Sequence, residues 1–149
     1  LEISNLTAKK FNLFIYHTPE TSSTTLNLTY NNNGNSVYAR RGSGDGGTDA
    51  TVVSQAFIGH QATNAGDKFS FHHTCSISGE EKLIIGFNLV APATGAASAP
   101  RRFEWVGKFV PSPDADITII DINNTAAGSY LTNTNLSALS SADAGDLIE

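Results

Sequence analysis

The sequence predicts an all-β protein, an antiparallel two-sheet β-sandwich of jelly-roll-like form with about nine or ten strands. Three observations predict it. From Phe69 to Ile122 apolar residues recur at every second position, as in Phe69/Phe71/Cys75/Ile77, Leu83/Ile85/Phe87/Leu89 and Phe103/Trp105/Phe109. Such alternation gives each strand one face to bury. Short clusters of Gly, Asn, Pro and Ser separate the runs, and no stretch carries a long amphipathic helical pattern. At 149 residues one domain is expected, over 1–139, with residues 140–149 as a C-terminal tail or linker.

The strands follow in order. Ile3 to Ala8 forms a short first strand or, as part of residues 1–8, an N-terminal arm. Lys10 to His17 carries Phe11, Leu13 and Ile15 on one side and Phe14 and Tyr16 on the other, which predicts a central strand covered on both faces. Pro19 ends it by removing a ladder donor. Thr24 to Tyr30 alternates, with Leu26, Leu28 and Tyr30 inward and Asn27 and Thr29 outward. The cluster Asn31 to Asn35 tolerates positive φ and predicts a hairpin with Ser36 to Arg41. Gly42 to Gly47 reads as a flexible loop. Ala50 to Ile58 is the next strand, followed by a polar connection through Gly66. Lys68 to Ile77 and Lys82 to Val90 form a hairpin across Ser78 to Glu81. Ala91 to Pro100 reads as an exposed loop. Arg102 to Val110, Ala115 to Ile122 and Ser129 to Ala138 complete the strands, separated by Pro111 to Asp114 and Asn123 to Gly128.

Composition narrows the function. Only 15% of residues are charged and the net charge is -5, which argues against a surface that tracks nucleic-acid phosphates. Paired basic residues such as Arg40-Arg41 point to opposite faces of a strand and do not make a patch. No apolar stretch approaches the roughly 20 residues of a membrane helix. The chain lacks methionine, so Leu1 is expected to mark a processed form, an excised domain or a piece of something longer. Cys75 is single, which leaves no intrachain disulfide, and its position between Phe71 and Ile77 predicts a small buried hydrophobe.

Each candidate site has a plain structural reading beside it. Asp45 and Asp49 on a glycine-rich loop could offer calcium oxygens, but without the spacing of a calcium-binding loop they read first as a solvated turn. His72 and His73 face opposite ways on a strand and cannot readily share an ion. Trp105 shares parity with Phe103 and Phe109 and reads as core. Tyr38 and Tyr130, next to polar loops, are the exposed aromatic candidates for stacking on sugar rings. No nucleophile-base pair, phosphate loop or dinucleotide glycine motif is present, so no catalytic residue, metal or cofactor is expected.

Two stretches resemble β-sandwich structural domains of phage and other virus particles. One is Leu26-Asn27-Leu28-Thr29-Tyr30 with Asn33-Gly34 and Val37-Tyr38-Ala39-Arg40-Arg41. The other runs from Trp105 through Ile117-Thr118-Ile119-Ile120 and Gly128-Ser129-Tyr130 to Leu139, departing from the pattern at Thr134 to Ser137. The resemblance implies a non-enzymatic virion protein at the particle surface or outside the cell: a capsid, decoration or fibre-associated module that docks as a homo-oligomer or on other virion proteins. It carries over no catalytic residue. Leu1, Ile3 and Leu6 in the arm and Leu147 and Ile148 in the tail are the expected subunit contacts. The alternatives are a carbohydrate-binding or receptor-binding module with a glycan partner, and a subunit of a cellular surface filament. Nucleic acid and membrane insertion are not expected.

Overall fold

A computed structural model describes residues 1–7, 10–18, 26–59, 68–75, 81–91, 95–124 and 128–140. Among these the chain is all-β, with ten strands: β1 (Glu2–Ile3), β2 (Lys10–His17), β3 (Asn27–Tyr30), β4 (Tyr38–Gly44), β5 (Ala50–Gln55), β6 (Lys68–Cys75), β7 (Lys82–Val90), β8 (Arg101–Phe109), β9 (Ile120–Asn123) and β10 (Asn135–Ser140). They form two antiparallel sheets, one of order β1-β9-β3 and one of order β10-β2-β6-β7-β8-β4-β5. The sandwich is therefore uneven, with three strands laid over seven.

The core lies between the sheets. Phe11, Leu13 and Ile15 from β2, Ile84 from β7 and Trp105 and Phe109 from β8 meet Leu26, Leu28, Tyr30, Ile120 and Ile122, with Ile58 and Ile117 closing the sides. Trp105 is the largest piece. It pairs in register with Gly86 on β7 and Gly42 on β4, and a Cβ at Gly86 would stand 1.9 Å from its Cε2. A Cβ at Gly42 would stand 2.5 Å from the Trp105 Cβ. The two glycines are the seat into which the indole fits. Tyr38 and Tyr30 link the sheets: the Tyr38 hydroxyl accepts from the Tyr30 N–H at 2.9 Å and donates to the Asn33 carbonyl at 3.0 Å. The Tyr30 hydroxyl meets Thr74 Oγ1 at 2.9 Å.

Several expectations are corrected. On β6 and β7 the buried parity is the reverse of the expected one: Lys68, Ser70, His72 and Thr74, then Lys82, Ile84, Gly86, Asn88 and Val90, face inward. Phe69, Leu83 and Ile85 are exposed, and Cys75 is half-buried on that outer face rather than in the core. Trp105 lies across Gly86, so the neighbouring strand fills the space and β7 needs no large residue there. Asn27 and Thr29, expected outward, are buried. The segments 24–30 and 36–41 do not form a hairpin, since β3 pairs with β9 and β4 with β5 and β8 in the other sheet. Gly42 to Gly44 belong to β4, because only glycine admits the close approach of β8. Strand β9 starts at Ile120 instead of Ala115. The Asn31 side-chain carbonyl takes the N–H groups of Thr118 and Ile119, at 2.8 and 3.1 Å, that a ladder would otherwise use. Strand β5 ends at Gln55, next to Ser54 at φ 54°, and Ile58 makes only an isolated bridge to Leu28.

Candidate docking face

The inner face of the large sheet is covered by the small one, but among the described residues no element covers its outer face. Side chains alternate along each strand, so the residues that point away from the core form a second surface. Across β6, β7 and β8 the registers place His73, Ile85 and Val106 on one line. The next line on one side holds Cys75, Leu83 and Lys108, and on the other Phe71, Phe87 and Glu104. Beyond those lie Phe69, Leu89 and Arg102. Phe14 of β2 joins the aromatic end, with its ring 5.3 Å from Phe71 and 6.4 Å from Phe69.

Three neighbours in register at the middle of this face are exposed: Ile85 is 61% exposed, Leu83 58% and Val106 55%. Val53 and Leu139, 62% and 59% exposed, lie on the edge strands β5 and β10. Single exposed apolar residues are ordinary, but neighbours in register on adjacent strands make a contiguous patch, which soluble monomers seldom keep bare. Two shallow depressions flank the Ile85–Val106 line. One, of about 440 Å³, is lined by Ala39, Arg41, Leu83, Ile85, Val106 and Lys108. The other, of about 390 Å³, lies over Ser43, Phe87, Glu104 and Trp105. Charges form a border on the β8 side: Arg102 Nε lies 3.4 Å from Glu104, and Lys108 donates to Glu81 at 2.7 Å. An apolar middle with a charged border is the anatomy of a protein interface.

The residues singled out in the sequence fall elsewhere. Tyr38 is 1% exposed, stacked on Phe109 at 4.9 Å, and burial pushes its hydroxyl up to about 12. It offers no ring to a sugar. Tyr130 is half-buried against His17, ring centroids 4.7 Å apart, and burial together with the Asp121 carboxylate raises its hydroxyl above the usual range. Tyr38 and Tyr130 therefore do not form the exposed aromatic pair expected of them.

Asp45 is bound to its own chain. Its two oxygens accept from Arg101 Nε and from the Arg102 N–H, each at 2.9 Å, and these bonds hold its carboxyl below the ordinary value. Asp49 is exposed. Among the described residues no group of three or more His, Cys, Asp or Glu is placed to hold a metal ion.

Residues 1–7 lie on their own molecule. Ile3 pairs with Ile120, the Leu1 amino group donates to the Ile122 carbonyl at 2.9 Å, and Leu6 packs against the core. Leu1 alone of the three keeps large exposure, 53%. Leu147 and Ile148 lie outside the described residues.

A polar strip also runs inside. His72 meets Asn88 Oδ1 at 3.4 Å and the edge of the Trp105 ring, centroids 4.9 Å apart, and burial lowers it to about 4. His17, opposite Lys68 in register, is lowered to about 4 by burial and then by the Lys68 charge. These groups are sealed in the interior and present nothing to solvent.

Alternation alone assigns the outer-face residues to the core. The signal for a second surface is Ile84 and Val90 on the parity opposite Leu83, Ile85, Phe87 and Leu89, which marks a strand with apolar groups on two sides. Comparison of the chain with protein-family models, with curated proteins and with solved structures finds no match.

Proposed function

We propose that this chain is a non-enzymatic structural protein of a virus particle, a capsid, decoration or fibre-associated β-sandwich that acts by docking subunit on subunit. The observation that carries the reading is the open apolar face centred on Leu83, Ile85 and Val106. Water contact over such a patch costs free energy at about 25 cal/mol per Å², so a covering partner is favoured. The resemblance of residues 26–41 and 105–139 to virion domains supplies the setting. The sheet edges support it too: β5 carries a register shift opposite Tyr38–Arg40 and Ser54 at positive φ, devices that spoil an edge for strand addition. Docking through the face is thereby favoured over growth from that edge.

Electron microscopy of the concentrated protein, alone and mixed with particles from its source, tests the reading. Regular assemblies or decorated particles are the expected result. Free monomers at every concentration, with no particle bound, would refute it. Saturable binding of such monomers on a glycan array would move the reading to a receptor-binding module.

A further inference from the structure

We infer that the occupant of the outer face is a second copy of this chain, packed face to face about a two-fold axis that crosses the strands over Ile85 and Val106. The inference rests on the docking reading and names its partner.

Area is the first argument. Seven strands about 4.8 Å apart, each about eight residues at about 3.3 Å, present a face on the order of 800 Å². A specific interface needs about 800 Å² from each partner. Stacked sheets lie about 10 Å apart with strands within about 30° of each other, so two such faces can meet over most of their extent.

Complementarity is the second. An axis lying in the interface and perpendicular to the strands reverses the order of residues along each strand and keeps β7 over β7 and β8 over β8. Ile85 and Val106 then meet their own copies, apolar on apolar. Leu83 comes over Phe87, because these stand two residues to either side of Ile85. On β8 the same operation brings Glu104 over Lys108, which flank Val106 equally, and does so twice. Opposite charges fall into place at both ends of the apolar middle. Moving the axis one residue toward Trp105 would set Arg102 over Lys108, so the charges select one register. Arg41, level with Val106 on β4, is the charge that faces its own copy. Its guanidinium is turned to Thr51 Oγ1 at 3.2 Å, toward the β5 edge. The contact is isologous and closes, as symmetric dimers do.

Sedimentation equilibrium on the full chain tests this. Wild type is expected at twice the 15.7 kDa chain mass. Ile85→Lys is expected to weaken association by about a hundredfold or more, as loss of a central contact does. Because Ile85 is outside the core, circular dichroism should show the variant folded. Glu104→Lys and Lys108→Glu should each weaken association by about tenfold through like charges, and the double variant should recover it.

Four outcomes decide the matter. A dimer lost in Ile85→Lys and recovered in the charge-swapped double variant supports the inference. A dimer indifferent to Ile85→Lys, or a double variant no better than the singles, overturns this pairing while leaving docking by another surface. A wild-type monomer that still decorates particles overturns self-pairing and keeps the docking reading. A monomer that associates with nothing removes both.

Discussion

Replacing Gly86 by alanine should unsettle the core more than a single methyl suggests. The added Cβ would fall 1.9 Å from Trp105 Cε2, 2.1 Å from Cζ2 and 2.5 Å from Nε1, so the indole must move. It has little room. Gly42 closes on its Cβ from the other neighbouring strand, His72 stands at its edge, and Ile58 lies beside Gly107 on the same face. Overpacking that shifts a core ring costs about 1–3 kcal/mol, and loss of the buried tryptophan site raises this toward about 3–5 kcal/mol. We expect about 3 kcal/mol. For a chain of this size that lowers the melting temperature by about 6–12 °C. Urea unfolding, followed by emission of the single tryptophan, measures it and should show a red-shifted folded state. A loss under about 0.5 kcal/mol with unchanged emission would refute the idea that Gly86 is the seat of Trp105.

Further outcomes follow from other contacts. His72 and His17 are held near 4 in the fold against 6.5 when unfolded, so the unfolded chain binds more protons between those values. Their stabilisation is complete above about pH 6.5 and is lost as pH falls toward 4; for fully buried His72 this reaches about 3 kcal/mol, and His72→Gln should flatten that part of a urea-midpoint series against pH. Tyr38→Phe leaves the buried Tyr30 N–H without its acceptor and should cost about 1–3 kcal/mol, whereas Tyr30→Phe, which removes only the bond to Thr74, should cost about 1–2 kcal/mol in the same unfolding assay. Millimolar calcium should not raise the melting temperature, since Asp45 is engaged by Arg101 and Arg102; a rise abolished by Asp49→Asn would restore the loop as an ion site.

Strand positions were largely legible from the sequence, and their facing was not. Lys10–His17 matches β2 end for end, and the hairpin of β6 and β7 stands where turn residues placed it. Alternation tells which residues share a face but not which face is covered. On β7 one parity is wholly apolar and the other mixes Ile84 and Val90 with Lys82, Gly86 and Asn88, so alternation alone points the core at the bulkier set. The cover came instead from Trp105, a neighbour's side chain reaching over Gly86. Single-strand periodicity cannot see that exchange. The same holds for Asn31, whose side chain replaces a strand partner for Thr118 and Ile119. Tyr38 illustrates the limit for the site: adjacency to a polar loop suggested exposure, yet its hydroxyl was needed inside to satisfy the Tyr30 N–H. The docking face became visible only when seven strands were set side by side.

The small sheet has a consequence for how the chain is made. Its two outer strands, β1 and β3, touch only through β9, so Leu1 finds the Ile122 carbonyl across a separation of 121 residues. Strand β2 likewise waits for β10 before its outer side is paired. During synthesis the neighbours β6, β7 and β8 can zip as they emerge, by short-range closure. The lid over Phe11, Leu13 and Ile15 cannot close until residues past 120 have left the ribosome. A nascent chain stalled before that point would show both faces of its large sheet to water, the outer one for want of a docked partner and the inner one for want of β9. Any helper that escorts this protein would have its work concentrated in that interval.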